Sequence, residues 1–234
     1  MSVYDPIAGL YDPWSRSVTE DIGFYVEEAL AAGGPVVELA VGTGRIAVPI
    51  AEAGVHVIGV DLSERMLDVA REYARGRGVE ELVDLRYGDL CAPPVPERVS
   101  LVICPFRSLL HLPGHDAKLS ALRAAHSLLE PDGRFVFDVF APSREDVAET
   151  DGRWLEREPG IFERADWDET TRTLTLSVRR GDETTTMALH WCSAEEWLVL
   201  IGEAGFGLES FWGWFDRRPY AGGEDMIFAC GRRS

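Results

Sequence analysis

The stretch VVELAVGTGR, residues 36–45, decides the fold class of this chain. An apolar run typical of a buried strand leads through one acid, Glu38, into a turn with glycines at 42 and 44. In an open parallel sheet, the turn after the first strand lies at the edge where ligands bind. Glycines at Gly42 and Gly44 would let the backbone approach such a ligand closely. The stretch therefore predicts a ligand-binding turn in an α/β fold.

The first 140 residues alternate apolar, β-rich runs with helical patterns. Helices are expected at 44–54, 63–78 with Ser63 as N-cap, and 115–133, of which the last four residues, EPDG, are typical of a turn. Strands are predicted at 35–40, 55–61, 82–89, 99–106 and 134–140. Near-continuous apolar strands separated by helices are typical of a parallel sheet covered on both faces. The pattern predicts a Rossmann-like, doubly wound and mostly parallel sheet.

The pattern changes after about residue 140. Residues 161–193 alternate in character, with turn signals at DETT and RRGDE, which predicts an antiparallel meander. A helix follows over 193–206, with Ser193 and Glu196 as a capping box, and then a strand pair at 207–215 and 224–233. A further helix is expected over 19–32. These elements predict seven strands in the main sheet and a single domain, 1–234, with an N-terminal cap segment, 1–33, and an antiparallel lid insertion, 150–192.

Composition excludes several classes of protein. A chain of 234 residues with 46% hydrophobic residues can bury a sizeable core. Its formal charge of −17 repels nucleic acids and anionic membranes alike. The absence of an 18-residue apolar run and of a signal-peptide pattern predicts a cytoplasmic protein. Its oligomeric state is left open between monomer and homodimer. Four cysteines without C-x-x-C pairing predict no zinc site, and no other metal site is expected.

Three consecutive predicted strands carry an acid at or near their carboxyl ends: Glu38, Asp61 and Asp89. Gly42, Gly44 and Ala47 also fit the dinucleotide pattern G-x-G-x-x-A, with Asp61 as the ribose acid. A carboxylate at Glu38 would oppose a pyrophosphate, but it would not oppose a ligand that carries a sulfonium and an ammonium group. The acids therefore favour a cationic ligand.

These stretches together resemble the class I S-adenosylmethionine-dependent methyltransferases over about residues 35–140. VVELAVGTGR resembles their first motif, VIGVDLSERMLDVAR the second, and YGDL and LEPDGRFVF later ones. The segment CPFRSLLHL, residues 104–112, resembles the corresponding part of small-molecule methyltransferases that act on amino sugars and related natural products. The resemblance implies S-adenosylmethionine as cofactor and a small-molecule acceptor.

The resemblance also implies a set of cofactor-binding residues. Asp61 would take the ribose hydroxyls, Asp89 and Leu90 the adenine, with Leu62 and Met66 packed on its face. Ala40 stands where the family commonly has glycine. Arg45 would either pair with the methionyl carboxylate or be a solvated residue at the start of a helix. The methionine part would contact Glu38, Ala40, Gly42 and Gly44, and the other implied residues are Tyr11, Trp14, Thr43, Arg45, Gly88, Pro105, Phe106 and Ser108.

His111 is the candidate catalytic residue, because histidine is a natural proton acceptor near neutral pH and the segment follows the fourth strand. A structural role is the alternative for a lone histidine. Six of the seven tryptophans lie from Trp154 onward, and most are expected in a core, with one or two reaching the acceptor pocket. The predicted function is methyl transfer to a nitrogen or oxygen of a small molecule. A nicotinamide-dependent oxidoreductase and a non-catalytic cofactor-binding protein are the alternatives.

Overall fold

The structure, a computed structural model, describes residues 8–15 and 17–232. The helices are α1 (Ala8–Ser15), α2 (Glu20–Ala32), α3 (Ala47–Glu52), α4 (Glu64–Arg77), α5 (Gly114–Leu128), α6 (Arg144–Thr150) and α7 (Ala194–Glu203), with short 3₁₀ helices at Glu80–Leu82 and Ser108–His111. The strands are β1 (Val36–Leu39), β2 (Val57–Asp61), β3 (Val83–Tyr87), β4 (Val99–Cys104), β5 (Leu129–Phe140), β6 (Trp154–Glu158), β7 (Ile161–Asp168), β8 (Thr173–Arg180), β9 (Glu183–His190), β10 (Phe206–Trp212) and β11 (Asp225–Arg232).

The main sheet has seven strands in the order β10-β11-β5-β4-β1-β2-β3. Strand β1 lies between β2 and β4 and is parallel to both, with Val36 opposite Val57 on one side and Leu101 on the other. Strand β11 pairs antiparallel with β5 and with β10. The prediction of a Rossmann-like, mostly parallel seven-stranded sheet is confirmed. The chain reverses its direction of strand addition beside β1, which places the switch point at the end of this strand.

Local sequence explains how these elements form. Every residue of β1 is buried, as expected for a strand covered by helices on both faces. Ser63 Oγ accepts a hydrogen bond from the Met66 backbone, and Ser193 with Glu196 forms the reciprocal capping box. Both predicted helix starts are therefore correct.

A second, antiparallel sheet, which we call the lid sheet, consists of β6, β7, β8 and β9 in that order. The meander prediction gave β7 to β9 but missed β6 and the preceding helix α6. Strand β5 is longer than predicted, since it begins at Leu129 rather than at residue 134. Leu129 is buried opposite Val99, and a register shift along β4 accommodates the exposed residues that were expected to form a separate turn.

Residues 1–7 and residue 16 of the N-terminal cap segment lie outside the described part. Over the described ranges, no helix combines the length and the apolar character needed to cross a lipid bilayer.

Candidate functional site

Two cavities lie at the carboxyl edge of the parallel strands, one of about 320 Å³ and one of about 710 Å³. Phe106 and His111 belong to the walls of both cavities, so the two adjoin at these side chains. Eleven of the seventeen residues expected to bind the cofactor line the smaller cavity: Tyr11, Ala40, Gly42, Asp61, Leu62, Met66, Gly88, Asp89, Leu90, Phe106 and Ser108.

The turn after β1 forms one side of the smaller cavity. Ala40, Gly42 and Gly44 all have positive φ angles, of 59°, 56° and 81°. Asp61 holds this turn, since its Oδ2 accepts a hydrogen bond from Gly42 N at 2.9 Å and its Oδ1 accepts one from Ser63 N at 2.8 Å. Asp61 also lines the smaller cavity, where a carboxylate can accept hydrogen bonds from the hydroxyl groups of a ligand.

The opposite side of the smaller cavity combines an acid with apolar side chains. Asp89 is exposed, and its Oδ1 accepts a hydrogen bond from Cys91 N at 2.8 Å. Leu62 leaves 48% of its surface exposed, whereas Met66 is buried. Gly88 is required there, because a Cβ atom would lie 2.3 Å from Pro94. An apolar face beside a carboxylate suits a flat heterocycle with hydrogen-bonding edges.

Glu38 does not line the cavity, although it was expected to contact the cofactor. Its side chain is 2% exposed, and its Oε2 has no hydrogen-bond partner among the described residues. Burial raises the pKa of Glu38 well above its usual range, partly offset by Arg45, while Asp21 and Asp61 raise it further. The carboxyl group therefore lies behind the glycine turn with an unused acceptor.

Gly44 and Thr43 do not line the smaller cavity either. Gly44 packs against α4, and Thr43 binds α1. A Cβ atom at Gly44 would lie 3.3 Å from Ala70 of α4, so this glycine allows the turn to approach the helix. Thr43 Oγ1 donates to Asp12 Oδ1 at 2.6 Å and ties the turn to α1. Helix α1 in turn brings Tyr11 to the smaller cavity.

Trp14 lines the larger cavity rather than the smaller one, which differs from the expectation that it contacts the cofactor. Its ring lies 5.8 Å from that of Tyr11, and its Nε1–H donates to Glu163 Oε2 of the lid sheet at 2.9 Å. Trp14 thus connects α1 to the lid.

Arg45 is neither solvated nor on the cavity wall. It donates to both carboxylate oxygens of Asp21, at 2.8 and 2.5 Å, and Asp21 is only 1% exposed. Its guanidinium carbon lies 4.5 Å from the centre of the Phe106 ring. This bidentate pair joins α2 to the glycine turn, so Arg45 is not a solvated residue. The guanidinium that the resemblance offered to a ligand carboxylate is bonded to Asp21.

The segment after β4 forms the boundary between the cavities. Pro105 is buried, and its carbonyl oxygen accepts a hydrogen bond from Ser108 Oγ at 2.7 Å. Pro105 therefore supports the turn but does not line either cavity. His111 ends the short 3₁₀ helix. Burial lowers the pKa of His111 to about 4, against a hydrogen bond with the Ala188 backbone that raises it. The imidazole is therefore neutral at pH 7.

The larger cavity lies between the main sheet and the lid sheet. The lid contributes mainly apolar side chains: Leu155, Ala165, Trp167, Leu174, Leu176, Met187 and Leu189. Trp167 and Trp214 reach this cavity, whereas Trp191 and Trp197 are buried in the core. Among the described residues, eight acids and three arginines line the cavity, and Glu163 is the acid on the apolar inner face of β7. The electrostatic environment therefore favours a cation.

Sequence reasoning missed several wall residues. Val60 and Leu112 line the smaller cavity beside predicted residues, and Asp138 and Glu163 line the larger one. Asp138 interrupts the apolar run FVFDVF, which is a readable signal of a special buried acid. Glu163 alternates with Ile161 and Ala165 along β7, and this period of two also places it on the inner face.

Comparison with known proteins agrees with this geometry. Residues 36–133 match the family described as "Methyltransferase domain". The solved structure of the CcbJ methyltransferase from Streptomyces caelestis is 28% identical in sequence, with a TM-score of 0.86, and the match covers 100% of this chain and 99% of that one. Residues 36–133 thus form a methyltransferase domain of the S-adenosylmethionine-dependent type.

Curated relatives support the same assignment over part of their length. This chain is 30% identical over 118 residues to a ubiquinone biosynthesis O-methyltransferase of Stutzerimonas stutzeri. The match covers 49% of this chain and 48% of the relative. This chain is also 28% identical over 140 residues to YqeM of Bacillus subtilis, which is named as a methyltransferase. The match covers 59% of this chain and 53% of YqeM. The chain thus spans about half the length of the curated relatives it matches. These matches give no support to the nicotinamide-dependent alternative.

The residues of this methyltransferase fit S-adenosylmethionine, the cofactor of the family. Glu38 retains an unpaired oxygen behind the glycine turn, Asp61 presents a carboxylate on the cavity wall, and Leu62 offers an apolar surface. Carboxyl groups and an apolar face match a ligand that is cationic at one end, hydroxylated in the middle and aromatic at the other.

Proposed function

We propose that this methyltransferase transfers the methyl group of S-adenosylmethionine to a nitrogen or oxygen of a small molecule in the larger cavity. The observation that supports this most directly is that Phe106 and His111 belong to both cavity walls. When bound, the cofactor supplies a methyl group already activated by positively charged sulfur. The chain then has to align the nucleophile and exclude water, which are tasks that a covered cavity can perform.

We propose that the cofactor occupies the smaller cavity. Ala40 and Gly42 would contact its methionine part, with Glu38 and Gly44 supporting the turn from behind. Asp61 would accept hydrogen bonds from the ribose hydroxyls. The adenine would lie among Leu62, Met66, Gly88, Asp89 and Leu90, with Tyr11 of α1 covering the site.

We propose an amine as the acceptor group, because eight acids and three arginines of the described residues line the larger cavity. Glu163 is the candidate anchor, since it lines the cavity and its partners in the neighbouring strands are the apolar Leu155 and Val178. An ammonium group bound there must lose a proton before its nitrogen can attack. The released proton would pass to solvent, and the bound cofactor would supply the methyl group that the nitrogen accepts.

His111 is proposed to orient the acceptor. A neutral imidazole can accept a hydrogen bond from an amine, but a pKa near 4 makes it a weak proton acceptor at pH 7. Replacing His111 with Gln should therefore slow transfer by about tenfold rather than abolish it. It should change cofactor affinity less than it changes the rate.

A methyl-transfer assay with a panel of hydrophobic amines and their matched alcohols tests the proposal. We expect product by mass spectrometry from amines, and a Glu163→Gln variant should raise the acceptor KM by about tenfold or more. Glu169→Gln, in the exposed β7–β8 turn, is the matched control and should behave like the parent protein. Transfer only to alcohols would contradict an amine acceptor, and cofactor binding without transfer to any compound would favour the non-catalytic alternative.

We further propose that the protein acts in the cytoplasm as a single domain over residues 1–234, in monomeric or homodimeric form. The formal charge of −17 supports the proposal that neither nucleic acid nor a membrane is its partner.

A further inference from the structure

Asp138 is an acid buried near the end of a central strand. It is the third-last residue of β5, with Phe137 opposite Cys104 of β4 and Asp138 itself opposite Ile227 of β11. Its side chain is 5% exposed and forms part of the wall of the larger cavity. A buried carboxylate is unfavourable unless it is well hydrogen-bonded.

The carboxylate of Asp138 is well bonded, and its partners come from two separate segments. Its Oδ1 accepts hydrogen bonds from Tyr25 Oη of α2 at 2.6 Å and from Phe106 N at 2.8 Å. Its Oδ2 accepts one from Arg107 N at 3.0 Å. Asp138 therefore holds two successive backbone amides of the turn that separates the two cavities.

This turn has an unfavourable backbone conformation. Phe106 and Arg107 have φ angles of 57° and 62°, in the left-handed region that residues with a side chain rarely adopt. Two such residues in succession persist only where surrounding contacts hold them. Arg107 also precedes the 3₁₀ helix that carries Ser108 and His111, so the turn sets the position of that helix.

We propose that Asp138 is a positioning residue of the methyl-transfer site, whose carboxylate clamps the Phe106–Arg107 turn and thereby fixes Phe106 and His111 in the wall shared by both cavities. This inference rests on the proposed function. Phe106 reports on the clamp because it also lines the cofactor cavity, where it packs against Arg45 and lies 6.1 Å from the Tyr11 ring.

Titration of Asp138 offers a way to release the clamp. Burial raises the pKa of Asp138 to about 6, whereas the Tyr25 hydrogen bond lowers it. Protonation would remove an acceptor from one of the backbone amides, and the turn should then loosen as pH falls through about 6. The charged and titratable groups that act on Asp138 are Asp21 and Tyr25 from α2, Arg107 and Cys104 from the β4 end, and Arg45 from the glycine turn.

The test is calorimetric titration with S-adenosylhomocysteine between pH 5 and pH 8, for the parent and two variants. At pH 7, the affinity of Asp138→Asn should be at least about fivefold lower than that of the parent. The parent should show a similar loss of affinity between pH 7 and pH 5, with a step near pH 6 that Asp138→Asn lacks. Tyr25→Phe should move that step to higher pH, because the bond that lowers the Asp138 pKa is gone. Asp84→Asn and Tyr73→Phe, on exposed parts of β3 and α4, are the matched controls and should keep the parent profile.

Parent-like affinity of Asp138→Asn at pH 7, or an unmoved step in Tyr25→Phe, would overturn the clamp. If Asp138→Asn does not fold, the step in Tyr25→Phe decides alone. If the parent binds no S-adenosylhomocysteine at any pH, the proposed function fails separately. A crystal structure of Asp138→Asn then decides: a rearranged turn supports the clamp, and retained positive φ angles at Phe106 and Arg107 overturn it.

Discussion

Trp14 and Glu163 join the N-terminal helix α1 to the lid sheet, through a hydrogen bond of 2.9 Å from Trp14 Nε1 to Glu163 Oε2. Because α1 also carries Tyr11 to the smaller cavity, the bond couples the covers of the two cavities. The two covers therefore cannot move independently while this bond is made.

Loss of the Trp14 bond should speed cofactor release. Trp14→Phe keeps an aromatic ring but removes the donor, so S-adenosylhomocysteine should dissociate about fivefold faster in stopped-flow measurements. Glu163→Gln is the matched control, since its amide oxygen can still accept from the indole. Equal dissociation rates in Trp14→Phe and the parent would show that α1 is held by other contacts.

Breaking the buried pair of Arg45 and Asp21 should destabilise the fold strongly. Asp21→Asn leaves a guanidinium that is only 15% exposed without its charge partner, so the free energy of unfolding should fall by about 3 kcal/mol. Glu52→Gln breaks the more exposed pair with Arg77 and should change it by less than about 1 kcal/mol. Urea denaturation of both variants measures the free energy of unfolding. Similar losses in the two variants would contradict the claim that burial makes the Arg45–Asp21 pair more important for stability.

His111 should make the protein acid-sensitive. Its folded pKa of about 4 lies below the unfolded value, so the unfolded state binds more protons between about pH 4 and 6.5, and stability falls as pH falls through that window. The parent should lose about 2 kcal/mol from this group between pH 7 and 5. His111→Gln should lack this loss, whereas the exposed control His56→Gln should retain it. Parallel pH profiles of unfolding for His111→Gln and the parent would contradict a neutral imidazole in the folded protein.

Ala40 should be a strained position. Its φ of 59° costs a residue with a Cβ roughly 1–2 kcal/mol, whereas glycine adopts it freely at an entropic cost of about 0.5–1 kcal/mol. Ala40→Gly should therefore raise the free energy of unfolding by about 0.5–1 kcal/mol and keep cofactor binding. Ala31→Gly, on the exposed side of α2, is the matched control and should lower stability. A destabilising Ala40→Gly would show that the alanine methyl makes a compensating contact.

The sequence was sufficient where local pattern and topology agree. Strand runs, helix caps at Ser63 and Ser193, and the glycine turn each report on neighbouring residues, so the parallel sheet and its ligand edge follow from them. The cavity residues Asp61 and Asp89 follow from their place at strand ends, whereas Met66 was implied by the family resemblance.

The sequence was insufficient where a partner lies far along the chain. Arg45 was open to a ligand or to solvent because nothing near it in sequence shows that Asp21, 24 residues earlier, lies buried beside it. Glu38 was expected at the ligand, yet its side chain lies behind the turn that it precedes. Trp14 faces the larger cavity because its partner Glu163 belongs to the lid sheet, whose first strand the pattern did not show.

The central claim is that acids at one edge of the parallel sheet hold S-adenosylmethionine, and calorimetric titration with S-adenosylhomocysteine tests it most directly. The account predicts binding of one molecule per chain with micromolar affinity. It also predicts a loss of about tenfold or more in Asp61→Asn, with no loss in Asp68→Asn, which alters an exposed acid of α4. No binding to the parent, or equal affinity of the Asp61→Asn protein, would contradict it.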